Sequence, residues 1–136
     1  MNVMRIVVFL VKLLITAIVG QTLFFKFTGA VESIYIFSIL GVEPWGRLGL
    51  GSLELLSIVL LWIPKTALYA LILILGMMSG AMASHLFILG IEIMGDQGEL
   101  FILGVVTWLS AALLLFIKRE EIKILGMKFL VRKHAA

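Results

Sequence analysis

From Ala67 to Gly90 the chain is apolar almost without interruption, and its polar side chains there are Tyr69 near the start and Ser79, Ser84 and His85 in the second half. Coiled as an α-helix at about 1.5 Å per residue, such a run crosses the roughly 30 Å hydrocarbon core of a bilayer. A helix of this kind has no polar face to offer water, so lipid or other helices must surround it. Within the run Gly76, Gly80 and Ser84 recur four residues apart, a spacing that predicts close approach of a neighbouring helix backbone.

Three more runs share this character: Val3 to Phe25, about Pro44 to Ile63, and Leu100 to Ile117. The 136 residues are 62% hydrophobic, against about 45–50% for soluble domains, which points to one integral membrane domain. The first run is longer than the roughly 7–15 residues of a secretory-signal core and is expected to be a retained span. The second is interrupted by Glu54 and reaches spanning length only if its helix starts at Glu43-Pro44, with Glu43 as N-cap acceptor and proline at the first helical position. Pro64 is expected to stop that helix and Thr66 to cap the next.

The expected architecture is an all-α membrane protein, an antiparallel four-transmembrane-helix bundle. Spans at about 3–26, 44–63, 66–90 and 99–117 form a transmembrane domain over 1–118, followed by a basic cytoplasmic tail over 119–136. Between the first two spans, Val31 to Leu40 is too short to cross and is expected to form a short interfacial helix. Gly104, Thr107 and Ala111 fall along one side of the last span as a packing seam.

If the helices alternate, Arg5, Lys65, Lys118, Arg119, Lys123, Lys128, Arg132 and Lys133 lie at one membrane face. Glu32, Glu43, Glu92, Asp96 and Glu99, with Lys26 and Arg47, lie at the other. The excess of Lys and Arg puts the N- and C-termini in the cytoplasm, and a bacterial inner membrane is the expected location. The net charge of +3 resides mostly in the tail, which reads as a contact for anionic lipid and not for nucleic acid. There is no cysteine, so disulfides, thiolate metal sites and dithiol relays are excluded. No nucleophile stands with a base and no metal-ligand set is present, so no metal site is assigned and an enzyme is the third reading, behind a ligand-binding accessory subunit and a scaffold. Met78, Met82 and His85 have helical spacing and could offer soft ligands, but methionines on a buried face are read as packing.

Alternation brings Gln21, Lys26, Arg47, Glu54 and His85 into the same leaflet. An ionised carboxylate at the depth of Glu54 is expensive by a few kcal/mol unless partnered, and Lys26, Arg47 and His85 are the candidate partners. Two readings follow. In one, the five residues form an outward-facing pocket for a small molecule or for protons, with His85 titrating near neutral pH. In the other, they are interhelical glue.

The residues Gln21 to Ala30, Gly41 to Arg47 with its Glu-Pro-Trp-Gly-Arg string, Leu53-Glu54-Leu55, and Ser79 to Leu86 resemble the DoxX-like family of small four-helix membrane proteins. The resemblance runs to about Ile117. It implies a four-helix membrane fold and, through relatives associated with thiosulfate and quinol oxidation, an accessory subunit of a redox system that binds a quinone-like or other amphipathic molecule. A distant animal branch that acts in receptor assembly implies instead a non-enzymatic assembly factor or scaffold. The partners expected are the lipid bilayer, an amphipathic small molecule, and a membrane partner protein or a second copy of the chain.

Overall fold

A computed structural model describes residues 2–119 and 131–135. It is all-helical, and four of its helices are long and apolar enough to cross a membrane. In chain order the elements are α1 (Val3–Thr28), α2 (Val31–Ile39), α3 (Trp45–Trp62), α4 (Ala67–Ser84), which passes directly into a π-helical turn (His85–Leu89), and α5 (Glu99–Ile117). Lys123 and Lys128 of the basic tail lie outside the described residues. Arg132 and Lys133 are exposed.

Local chemistry sets these boundaries. Asn2 caps α1 by accepting the Met4 amide at 3.2 Å. Gly29, left-handed at φ 68°, closes the helix by returning its N–H to the Phe25 carbonyl, a conformation that costs a residue with a Cβ about 1–2 kcal/mol. The helix α2 begins two residues later.

Two caps differ from the sequence expectation. Pro44 itself occupies the N-cap of α3, so the helix starts one residue later than expected, and no side chain caps that end. Glu43 is unavailable as a cap because its carboxylate is engaged by Arg47. Thr66 does sit at the N-cap of α4, but its hydroxyl makes no cap bond there. It donates backward to the Leu60 carbonyl at 2.9 Å and the Ile63 carbonyl at 3.3 Å. Both carbonyls also accept a backbone N–H, Leu60 from Ile63 at 3.3 Å and Ile63 from Thr66 at 3.0 Å, so the hydroxyl adds a second donor at the end of α3, where Pro64 supplies no N–H.

The four long helices close a ring in which α1 packs on α3 and α5, and α4 packs on α3 and α5; α2 rests on α1 and α3. The ring's centre is a buried cluster of Ile15 and Val19 from α1, Leu61 from α3, Ala70, Leu71, Ile74 and Met78 from α4, and Ala111 and Leu114 from α5. Outward faces are apolar as well, with Leu10, Leu56, Ile72, Leu109 and Phe116 all exposed, the pattern of helices whose solvent is hydrocarbon.

The stripe Arg47, Gly51, Glu54, Ser57, Leu61 is the buried side of α3. At Gly51 an added Cβ would touch Phe27 at 3.4 Å and the Lys26 side chain at 3.5 Å, so α1 and α3 approach closely there. The small residues of α4 behave otherwise. A Cβ placed on Gly76 or Gly80 would meet nothing within 4 Å among the described residues, and the same holds for Gly104 on α5. Among the described residues these three glycines therefore pack against no helix and instead border open space, which departs from the expectation from their spacing, whereas Thr107 and Ala111 of the α5 stripe are fully buried.

Candidate functional site

That open space is a cavity of about 710 Å³, within the size range of small-molecule sites. Its walls come from α1, α2, α4, the π-helical turn, α5, and Leu50 and Glu54 of α3. Most of the lining is apolar, including Phe25, Phe37, Met78, Met82, Leu89 and Phe101. Four of the five residues singled out in the sequence, Gln21, Lys26, Glu54 and His85, lie on its walls. Arg47 does not line it.

The deepest polar feature is an ion pair. Lys26 Nζ is 3.1 Å from Glu54 Oε1, with the carboxylate side chain only 2% exposed. Lys26 projects from the last turn of α1, and Glu54 from the middle of the buried α3 stripe. The close approach at Gly51, one turn from Glu54, puts the two within reach. The pair uses one carboxylate oxygen. Glu54 Oε2 is buried and has no hydrogen-bond partner among the described residues.

His85 is 5% exposed and is gripped from two directions. Its Nδ1 stands 2.8 Å from the Gly90 carbonyl, an acceptor only, so Nδ1 carries the proton and Nε2 is the ring's other hydrogen-bonding nitrogen. The His85 carbonyl in turn accepts the Gly90 N–H at 2.8 Å. Gly90 adopts φ 84° and ψ 168°, a region essentially closed to residues with a Cβ. Phe101 of α5 stacks edge-on against the imidazole at 5.6 Å. A π-helical turn of this kind is rare and is frequently found at functional sites. Here it ends α4 with His85 on the cavity wall.

Arg47 has a different task. Its Nε lies 2.9 and 3.0 Å from the two carboxylate oxygens of Glu43, and Nη2 is 2.8 Å from Oε1. Nη1 donates to the Lys26 carbonyl at the end of α1. The guanidinium thus latches the start of α3 to the end of α1, beside the cavity and not in it. Glu54 takes Lys26 as its ion-pair partner, not Arg47 or His85.

Sequence reasoning assigned no site role to Glu32, Asp96 and Glu99, which also border the cavity. Asp96 is built into the loop before α5: Oδ1 accepts from Ile93 N at 2.9 Å and Gly98 N at 2.8 Å, and Oδ2 from Leu100 N at 3.1 Å. Burial pushes this carboxyl up, but the three backbone donors and the nearby His85 outweigh it and hold the group below its ordinary range. The signal available in the sequence was the Gly95-Asp96-Gln97-Gly98-Glu99 string just before an apolar run, a helix-start pattern.

No protein-family model, curated protein or solved structure matches the chain. The polar groups that converge on an apolar chamber, and the burial of Glu54 and His85 among them, are what the function has to be argued from.

Proposed function

We propose that this chain is a DoxX-like integral membrane protein whose cavity binds a quinone-like or other amphipathic small molecule, as an accessory subunit of a redox system. The observation that carries the reading is the meeting of Gln21, Lys26, Glu54 and His85 on one apolar chamber of about 710 Å³. Apolar walls suit a hydrocarbon body, and a few convergent polar groups fix a head. The kinship rests on the motif residues alone.

In this reading the four long helices alternate in direction. Contacts along α1 and α3 run in opposite order, Thr16 with Trp62 and Lys26 with Glu54. Those along α4 and α5 do likewise, Ser79 with Trp108 and His85 with Phe101. The short α2 then lies in the interface, and the cavity opens toward the face carrying Glu32, Asp96 and Glu99. The termini are cytoplasmic by the distribution of Arg5, Lys65 and Lys118, in a bacterial inner membrane.

The test is what travels with the purified protein. Wild-type protein extracted into native-lipid nanodiscs should carry a lipophilic molecule, enriched over bulk lipid and identifiable by mass spectrometry. Gly80→Phe, which fills open space, should lose it while remaining folded. Identical extracts from the two proteins would overturn the proposal. A second reading, a membrane assembly factor or scaffold, draws support from the Lys26–Glu54 pair and the Arg47 latch, both of which tie α1 to α3; in it Gly80→Phe leaves partner assembly unchanged and Glu54→Gln weakens it.

A further inference from the structure

The hydrogen-bonding capacity left over on the cavity wall is weighted to one side. Thr22 gives its hydroxyl proton to the Val19 carbonyl at 2.9 Å, and Ser84 gives its own to the Gly80 carbonyl at 2.9 Å, so both present only lone pairs to the chamber. The His85 ring commits Nδ1–H to Gly90, and in the neutral imidazole its Nε2 is an acceptor. Glu54, which lines the chamber, contributes the buried and unpartnered Oε2. Against these acceptors stand the Gln21 amide, the Ser33 hydroxyl and the Lys26 ammonium, which is already paired with Glu54. A buried acceptor without a donor is a standing cost that a ligand can relieve only by bringing a proton. At the Lys26–Glu54 pair the charges balance, so a cationic head seated there would stand beside an ammonium without a counter-charge of its own; Glu32, Asp96 and Glu99, on the same walls, add carboxylates and no donors.

We infer that the cavity selects a neutral, hydroxyl-headed amphiphile, so that of a quinone couple it holds the reduced, hydroxyl-bearing form and discriminates against the oxidised, carbonyl form. This rests on the reading of the cavity as an amphipathic-ligand site. It adds which hydrogen-bonding sense the head must have, with Glu54 and His85 as the receiving groups.

The probes are 2-decylhydroquinone, its dimethyl ether, 2-decylbenzoquinone and decylammonium, titrated anaerobically by calorimetry into the full chain in nanodiscs. One hydrogen bond to a charged acceptor corresponds to about tenfold or more in affinity. The hydroquinone should therefore bind at least about tenfold tighter than its ether, the quinone or the amine, and Glu54→Gln should erase most of that margin. Should Glu54→Gln fail to fold, the wild-type comparison decides alone. Equal affinity for hydroquinone, ether and quinone, or tighter binding of the amine, overturns this inference and leaves the cavity a binding site. Failure of all four to bind overturns the site as well.

Discussion

Lys26 Nζ and Glu54 Oε1 meet at 3.1 Å across the α1–α3 contact, with side-chain exposures of 12% and 2%. In an apolar chain the value of such a pair lies less in the attraction than in the penalty for separating it. Removing one partner strands the other charge, at a cost of about 3–5 kcal/mol. Lys26→Met should therefore destabilise by about that much, and Lys26→Met with Glu54→Gln should recover most of the loss. Unfolding by SDS titration in mixed micelles checks both. A double variant no more stable than the single would show that the pair is not a unit.

Arg47 should resist conservative exchange. Lysine cannot reproduce the fork that binds Glu43 while reaching the Lys26 carbonyl. Arg47→Lys is expected to cost about 1–3 kcal/mol. Glu43→Gln should cost a comparable amount, and the double variant less than the sum of the two. Strict additivity in the double-mutant cycle would mean the latch contributes nothing.

Gly80 and Gly51 should answer differently to added bulk. Gly80→Ala places its Cβ in open space and gains up to about 1 kcal/mol of helix propensity. At Gly51 the new methyl touches Phe27 and Lys26, and Gly51→Leu would force α1 and α3 apart. Thermal unfolding should place Gly80→Ala at or above wild type and Gly51→Leu well below it. Loss of stability in Gly80→Ala would restore α4's glycines to a packing role.

Asp96 sets an acid limit for the loop before α5. Its carboxyl titrates below the ordinary range when folded, so the unfolded chain binds more protons between the two values and stability rises with pH there. The contribution is complete above the ordinary carboxylate value of about 3.9 and fades as pH falls through the depressed folded value. Asp96→Asn should flatten this segment of the stability profile and speed amide exchange at Ile93, Gly98 and Leu100. An unchanged profile below pH 5 would refute it.

Much of this arrangement was legible in the residues. The four apolar runs are long enough to be read as spans, and the cost of a carboxylate in hydrocarbon required a partner for Glu54, which Lys26 supplies. What could not be read was how neighbouring groups divide their bonds. Arg47 and Lys26 are both within sequence reach of Glu54, and only the fold shows that Glu43, four residues before Arg47, captures the guanidinium first. Glycine spacing likewise fixes which side of α4 is small but not whether a helix or a void lies against it. The wide turn at His85 had no marker in the sequence beyond Gly90, because the ring-to-carbonyl bond that accompanies it exists only in the fold.

Gly90 holds His85 at both the ring and the main chain. Turning the ring gives up its bond to the Gly90 carbonyl, and unwinding residues 85–90 gives up both that bond and the Gly90 N–H to His85 carbonyl bond, so the two motions draw on a shared residue. Any event that reorients this side chain must be felt by the connection to α5, whose first turn is anchored by Asp96 a few residues on. Side-chain exchange and loop loosening at this corner of the molecule should share a single time constant.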